Sequence, residues 1–193
     1  MNLAKTFFTF FPDESTLVSG RLLTTIPILY KTWDVTFEVF PSKFAAKCSP
    51  NVLYMTVNVD GSSYGDRTPA VFFCKDKLYI YSGVDGNWNS VYISKSFKVN
   101  TWIKVQVTQK VEYYKYHYLI YLDDIKAHDV VNTQTQEFNG VKVYVTKDAT
   151  AGAQEGKIRN LVIKTQLGEY FVNYSCSYIA YFVYSDSTNV SIC

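Results

Sequence analysis

Apolar and polar side chains alternate along much of this chain. Trp33, Val35, Phe37 and Val39 fall on one phase and Asp34, Thr36 and Glu38 on the other, until Pro41 closes the run. A period of two is what a half-buried β-strand requires. The same alternation recurs in Ile103, Val105 and Val107, in Tyr116, Tyr118, Ile120 and Leu122, and in Val141, Val143 and Val145. Apolar runs at 51–57, 70–74, 78–82 and 125–130 predict further strands, 91–94 a brief edge strand, and 156–165 a closing one. Turn chemistry separates them: Asp60-Gly61-Ser62-Ser63, Lys75-Asp76-Lys77, residues 110–115 and Asp123-Asp124. Residues 83–89 read as a loop by composition. About ten strands without an amphipathic helix or a fixed repeat predict an all-β, two-layer antiparallel sandwich. Trp33, Phe37, Val105, Val143 and Ile158 are expected between its sheets.

Length and composition fit one such domain. A chain of 193 residues is within the range of a single β-sandwich. Its 17 tyrosines and 13 phenylalanines favour a pleated surface. Charged residues make up 19% and hydrophobic ones 48%, which excludes a disordered chain. A net charge of +2 with scattered Lys and Arg argues against a nucleic-acid partner. No apolar run is long enough to cross a membrane as a helix. The stretch Thr6-Phe7-Phe8-Thr9-Phe10-Phe11 runs into Pro12-Asp13-Glu14 without a small-residue cleavage site, so it is read as not a signal peptide. The domain is therefore expected at 15–168, with 1–14 as an N-terminal extension. Residues 169–193 lose the turn signals and read as an added strand or as chain outside the domain. Cys48, Cys74, Cys176 and Cys193 fit no zinc spacing and read as buried or incidental thiols, with three full pairings left open.

Several stretches together resemble the concanavalin A-like lectin/glucanase superfamily in its laminin-G-like branch. They are Trp102-Ile-Lys-Val-Gln-Val followed by the Tyr116–Asp124 hairpin; Val141-Lys-Val-Tyr followed by Gly156-Lys-Ile-Arg-Asn-Leu-Val-Ile; and Tyr64-Gly-Asp-Arg-Thr-Pro-Ala with the upstream Lys31-Thr-Trp33. The resemblance implies a jelly roll and an extracellular or cell-surface recognition role, with glycan or calcium contacts at the sandwich rim in some members. The Glu-x-Asp-x-Glu strand of the catalytic branch is absent, so no catalytic residue is assigned and no enzyme is expected. The functional expectation is a non-catalytic module that binds a glycan or an extracellular matrix protein. The alternative is a structural or adhesive domain of a larger surface protein.

Candidate ligand residues collect in two loops. Asp85, Asn87, Trp88 and Asn89 combine an indole, which stacks on the apolar face of a sugar, with groups that hydrogen-bond hydroxyls. Read structurally, the same segment is a polar turn whose Trp folds onto its own sandwich. Residues 60–67 offer Tyr64 and Arg67 for ligand binding, and Asp60 and Asp66 as oxygen ligands for calcium, the one cofactor considered. Read structurally, Arg67 pairs with Asp66 or orders the loop. The tyrosines at 113, 114, 116 and 118 are read as cross-strand aromatic pairing. His117 and His128 are read as ordinary surface or sheet residues.

Overall fold

A computed structural model describes residues 5–44, 48, 51–58, 62–147 and 154–167. The tail expected at 169–193 and Asp60 lie outside the described residues. The strands are β1 (Lys5–Phe10), β2 (Ser15–Thr16), β3 (Arg21–Leu29), β4 (Thr32–Pro41), β5 (Asn51–Thr56), β6 (Ala70–Cys74), β7 (Lys77–Val84), β8 (Asn87–Ser96), β9 (Ile103–Glu112), β10 (Lys115–Leu122), β11 (Ile125–Val131), β12 (Phe138–Val145) and β13 (Gly156–Gln166). They form two antiparallel sheets. One is seven-stranded, in the order β1-β13-β4-β9-β10-β11 with β2 also on β13; the other is six-stranded, in the order β3-β12-β5-β6-β7-β8.

Alternation builds the core. On β4, Trp33, Val35, Phe37 and Val39 are buried, and they meet the inward phases of β9 and β13. From the other sheet come Val141, Val143 and Val145 of β12, Leu53 and Met55 of β5, Val71 and Phe73 of β6, and Leu78 and Ile80 of β7. All five residues expected between the sheets, Trp33, Phe37, Val105, Val143 and Ile158, are buried. In β13 the phase resets: the register shifts between Arg159 and Val162, and Asn160 adopts φ 53°. This β-bulge turns Leu161 and Ile163 inward after Ile158, an order that strict alternation from Ile158 does not give.

Three strands lie where the sequence shows little alternation. Lys5–Phe10, expected as part of an extension ahead of the domain, pairs with β13 and packs Phe8 and Phe10 against the core. Ser15–Thr16 pairs with the same strand. Arg21–Leu29 contains Pro27, which lacks an N–H; it is accommodated because β3 is an edge strand. The cysteines also depart from the thiol reading, since Cys48 and Cys74 form a disulfide.

Two polar devices fix the end of the sandwich that carries the candidate residues. Residues 83–89 form no extended loop: β7 and β8 are joined by Asp85 and Gly86 alone, at φ 50° and 81°. Two positive φ values match the twist of an antiparallel pair, and Asp-Gly supplies them readily. The buried Asn132 ties this turn to the other sheet. Its Oδ1 accepts the Asp85 N–H (2.9 Å), and its Nδ2 donates to Gln109 Oε1 (2.7 Å) on β9. The second device is Asp66. Its buried carboxylate accepts the backbone N–H of Asn58 (3.1 Å), the Asn58 side-chain amide (3.0 Å) and the Ser63 N–H (2.7 Å). That is the role of a loop-ordering anion, and it sets the direction in which the next residue, Arg67, leaves the chain.

Replacing Phe37 by Ala is expected to cost about 3–5 kcal/mol, as for other buried aromatics. Denaturant melts of the variant check this; a loss below about 1 kcal/mol would place Phe37 outside the shared core. Asp66→Ala strands three N–H donors and should cost about 1–3 kcal/mol. Amide exchange at Asn58 and Ser63 should rise with it, and unchanged exchange there would contradict the assigned role.

Candidate functional site

The outward phase of the six-stranded sheet is aromatic. On β7, Leu78, Ile80 and Ser82 are buried, while Tyr79 and Tyr81 are only half-buried and point away from the core. The same parity presents Tyr144 from β12, Tyr54 from β5, Phe72 from β6 and Val91 and Ile93 from β8. The registers place these residues in a line. Leu22 lies opposite Tyr144, Tyr144 opposite Tyr54, Tyr54 opposite Ala70, Ala70 opposite Tyr81, and Tyr81 opposite Val91. One residue from each of the six strands therefore forms a transverse row. With strands about 4.8 Å apart, the row is about 24 Å long and separates Tyr54 from Tyr81 by about 10 Å. Phe72, Tyr79 and Ile93 make a shorter second row beside it.

The rings hold one another in place. Phe72 meets Tyr54 edge-on at 6.1 Å and Tyr81 edge-on at 5.6 Å. Such contacts fix ring orientation in addition to covering apolar area. Toward the sheet edges the row is open: Leu22 is 50% exposed, Val91 44%, and neighbouring Ile93 46%.

Arg67 closes the row at the β7–β8 end. Its guanidinium lies 4.7 Å from the Tyr81 ring centre and 5.2 Å from that of Trp88. Nη1 donates to Asn89 Oδ1, and Nε is buried with no hydrogen-bond partner. Tyr64 stands behind this group. A Cβ on Gly83 would meet its ring at 3.2 Å, and Phe138 lies 6.0 Å away on another side. Burial pushes the Tyr64 phenol pKa upward, and its hydroxyl makes no well-formed hydrogen bond, although Asn132 and the Gly86 backbone lie beside it.

Of the residues singled out in the sequence, Arg67, Trp88 and Asn89 come together here, while Tyr64 packs against Gly83 and Phe138. Asp85 and Asn87 are occupied by the turn: Asp85 Oδ1 accepts from the N–H and hydroxyl of Thr133, and Asn87 Oδ1 accepts the Asn89 N–H at 2.9 Å. Trp88 differs from the free loop indole expected of it. It is a half-buried strand residue beneath a guanidinium. Arg67 does not pair with Asp66, whose oxygens face N–H groups. Tyr54, Phe72, Tyr79, Tyr81 and Tyr144 were missed. The signal for them lay in Tyr79-Ile80-Tyr81, where the aromatic phase is the one opposite to the aliphatic core phase.

The opposite face of the sandwich has a different chemistry. Most of the outward cations of the seven-stranded sheet meet a carboxylate. Arg159 donates to Glu38 from Nε (3.1 Å) and Nη2 (2.7 Å) and holds that carboxyl below its ordinary pKa. Lys157 meets Glu14 at 2.8 Å, Lys104 meets Asp124 at 2.6 Å, and Lys110 meets Glu112 at 2.9 Å. His117 Nδ1 and Lys126 each lie 2.7 Å from Asp129. His128 is half-buried beside Tyr92 (5.5 Å) and Tyr118 (6.1 Å). Tyr113 and Tyr114 form the exposed two-residue turn between β9 and β10 and lie apart from the Arg67 cluster. Tyr118, by contrast, is buried against Trp33 at 6.3 Å.

No helix among the described residues is long and apolar enough to cross a membrane. No protein-family model matches the sequence, and no curated protein matches it. Solved structures do resemble the fold. Trypanosoma rangeli sialidase superposes with a TM-score of 0.50 at 10% identity, over 68% of this chain and 20% of the sialidase chain. The chain thus spans about a fifth of that structure's length, and the likeness is one of fold alone. Domain 4 of AbnA, an extracellular arabinanase from Geobacillus stearothermophilus solved with arabinotriose, gives a TM-score of 0.49 at 11% identity, covering 84% of this chain and 83% of the other. The botulinum neurotoxin serotype G binding domain gives 0.48 at 9% identity, covering 83% of this chain and 43% of the other. The chain is an all-β, two-sheet antiparallel sandwich of the jelly-roll kind.

Proposed function

We propose that this domain is a non-catalytic carbohydrate-binding module of an extracellular protein, and that it holds an oligosaccharide across the outward face of its six-stranded sheet. The transverse row of Tyr144, Tyr54 and Tyr81, ended by the Arg67–Trp88–Asn89 group, carries this reading. A sugar ring has an apolar C–H face and a polar rim. Aromatic side chains match the first, and amide and guanidinium groups match the second. A row about 24 Å long has room for several sugars, and two rings about 10 Å apart are spaced on the scale of a disaccharide.

Three observations support the remaining parts of the reading. The six strands of this sheet bear no Asp or Glu, so the strands themselves offer no carboxylate pair of the kind that cleaves a glycosidic bond. On the other sheet, Glu38 is held ionised by Arg159, which unsuits it as a general acid. The Cys48–Cys74 disulfide fits an oxidising compartment. Calcium at Asp66 is not part of the reading, because its oxygens already accept three N–H groups.

The test is binding to a panel of soluble polysaccharides by affinity electrophoresis and calorimetry. Tyr81→Ala, Tyr54→Ala and Trp88→Ala, each checked for an unchanged melt, are expected to weaken binding by about 1 kcal/mol or more, on the order of tenfold. Tyr113→Ala, on the far hairpin, should bind like wild type. A silent panel with self-association of the protein supports the structural, adhesive reading instead. Loss at Tyr113 with retention at Tyr81 and Trp88 moves the site to the other sheet.

A polysaccharide that binds should also survive incubation uncut. Appearance of reducing ends that vanish on replacing one particular carboxylate would make the domain an enzyme.

A further inference from the structure

We propose that the saccharide bound on this face is anionic, bearing carboxylate or sulfate groups, and that Arg67 is the residue that recognises the charge. This rests on the binding face assigned above and concerns its ligand class.

The two outer faces distribute charge unequally. The chain has 17 acidic residues, and none falls on β3, β5, β6, β7, β8 or β12. The same six strands carry Arg21, Lys77, Lys95 and Lys142. Lys142 shares the outward phase of Tyr144, and Lys77 that of Tyr79 and Tyr81. From outside the strands, Arg67 is laid over Tyr81. Among the described residues, acidic side chains occupy the turns at either end of β7, and Asp66 precedes Arg67 with its carboxylate turned to N–H groups. In those turns Asp85 accepts from Thr133, and Asp76 is hydrogen-bonded by Ser96. On the seven-stranded sheet most outward cations instead meet a carboxylate.

Arg67 has the geometry for the task. Stacking on Tyr81 and beside Trp88 fixes the plane of its guanidinium, and the bond to Asn89 fixes the rotation within that plane. That bond uses Nη1 alone, and Arg67 forms no ion pair among the described residues. A pre-oriented planar fork presents parallel N–H groups to a carboxylate or sulfate, whereas a lysine offers only a point charge. The neighbouring rings supply the contact to the sugar's apolar face. The combination selects a charged sugar over a bare anion and over a neutral sugar.

Calorimetry on the full chain decides the matter. Polygalacturonate is compared with its methyl ester, which keeps the backbone and removes the charge, and dextran sulfate with dextran. Polyglutamate supplies anionic charge without a sugar ring. At low salt at least one anionic saccharide should bind about tenfold or more tighter than its neutral partner, an advantage that shrinks as salt is raised. Which pair shows it tells carboxylate from sulfate. Arg67→Gln should abolish the preference, and Arg67→Lys should restore only part of it. Lys142→Gln, at a half-buried, outward strand position away from Trp88, should reduce the preference without touching the Arg67 packing. Equal binding of charged and neutral chains overturns this inference and leaves the carbohydrate-binding reading intact. Equal binding of polyglutamate also overturns it, as non-specific charge attraction. Silence from every saccharide removes the underlying reading itself.

Discussion

The apolar layer between the sheets is the constraint on which the rest depends. Each strand offers one phase to that layer and has no choice about it, because a slip of one residue would turn its whole set of buried side chains to water. Phe37, Val105 and Val143 are locked inward on this account. The outward phase is then fixed in position but free in chemistry. The aromatic row exists because six registers, each set by the core, bring Leu22, Tyr144, Tyr54, Ala70, Tyr81 and Val91 to one level.

The layer itself was legible in the sequence, since alternation is a local signal. The strands at 32–41 and 70–74 stand where the pattern puts them, whereas β9 runs on to Glu112 through residues read as turn, leaving only Tyr113 and Tyr114 between it and β10, and β12 begins at Phe138, ahead of the alternation at Val141. The row was not legible, because register relates residues far apart in the chain, and no local period reports that Tyr144 faces Tyr54. Residues 83–89 were read as a loop from their glycines and asparagines, yet Asp85 and Gly86 suffice to turn the chain, and Asn87 onward returns as strand. Arg21–Leu29 was obscured by Pro27, whose tolerance depends on being at a sheet edge, a fact of topology. Arg67, Trp88 and Asn89 are legible as candidates by residue type, but their meeting beside Tyr81 is visible only in three dimensions.

The two outer faces solve the problem of solubility differently. On the seven-stranded sheet, ion pairs such as Arg159–Glu38 and Lys157–Glu14 cover the surface with charges of both signs. Exposed pairs of this kind contribute little to stability, roughly 0–1 kcal/mol each. The six-stranded sheet bears no Asp or Glu on its strands and sets half-buried rings beside Arg67 and Lys142. The Asn132 link from the Asp85 turn to Gln109 holds the β7–β8 end of that face against the other sheet.

That composition carries a hazard which the edges of the sheet contain. A flat, ring-rich sheet without acidic residues is a template on which like chains stack into fibrils, growing by strand addition at a free edge. One edge of this sheet, β3, is interrupted by Pro27, which has no N–H to offer an incoming strand. The other, β8, breaks register with β7 twice, near Lys77–Tyr79 and Ser82–Val84, and carries Lys95. Neither edge presents an unbroken ladder, so a ring-rich face can stand open while lateral polymerisation has nowhere regular to begin.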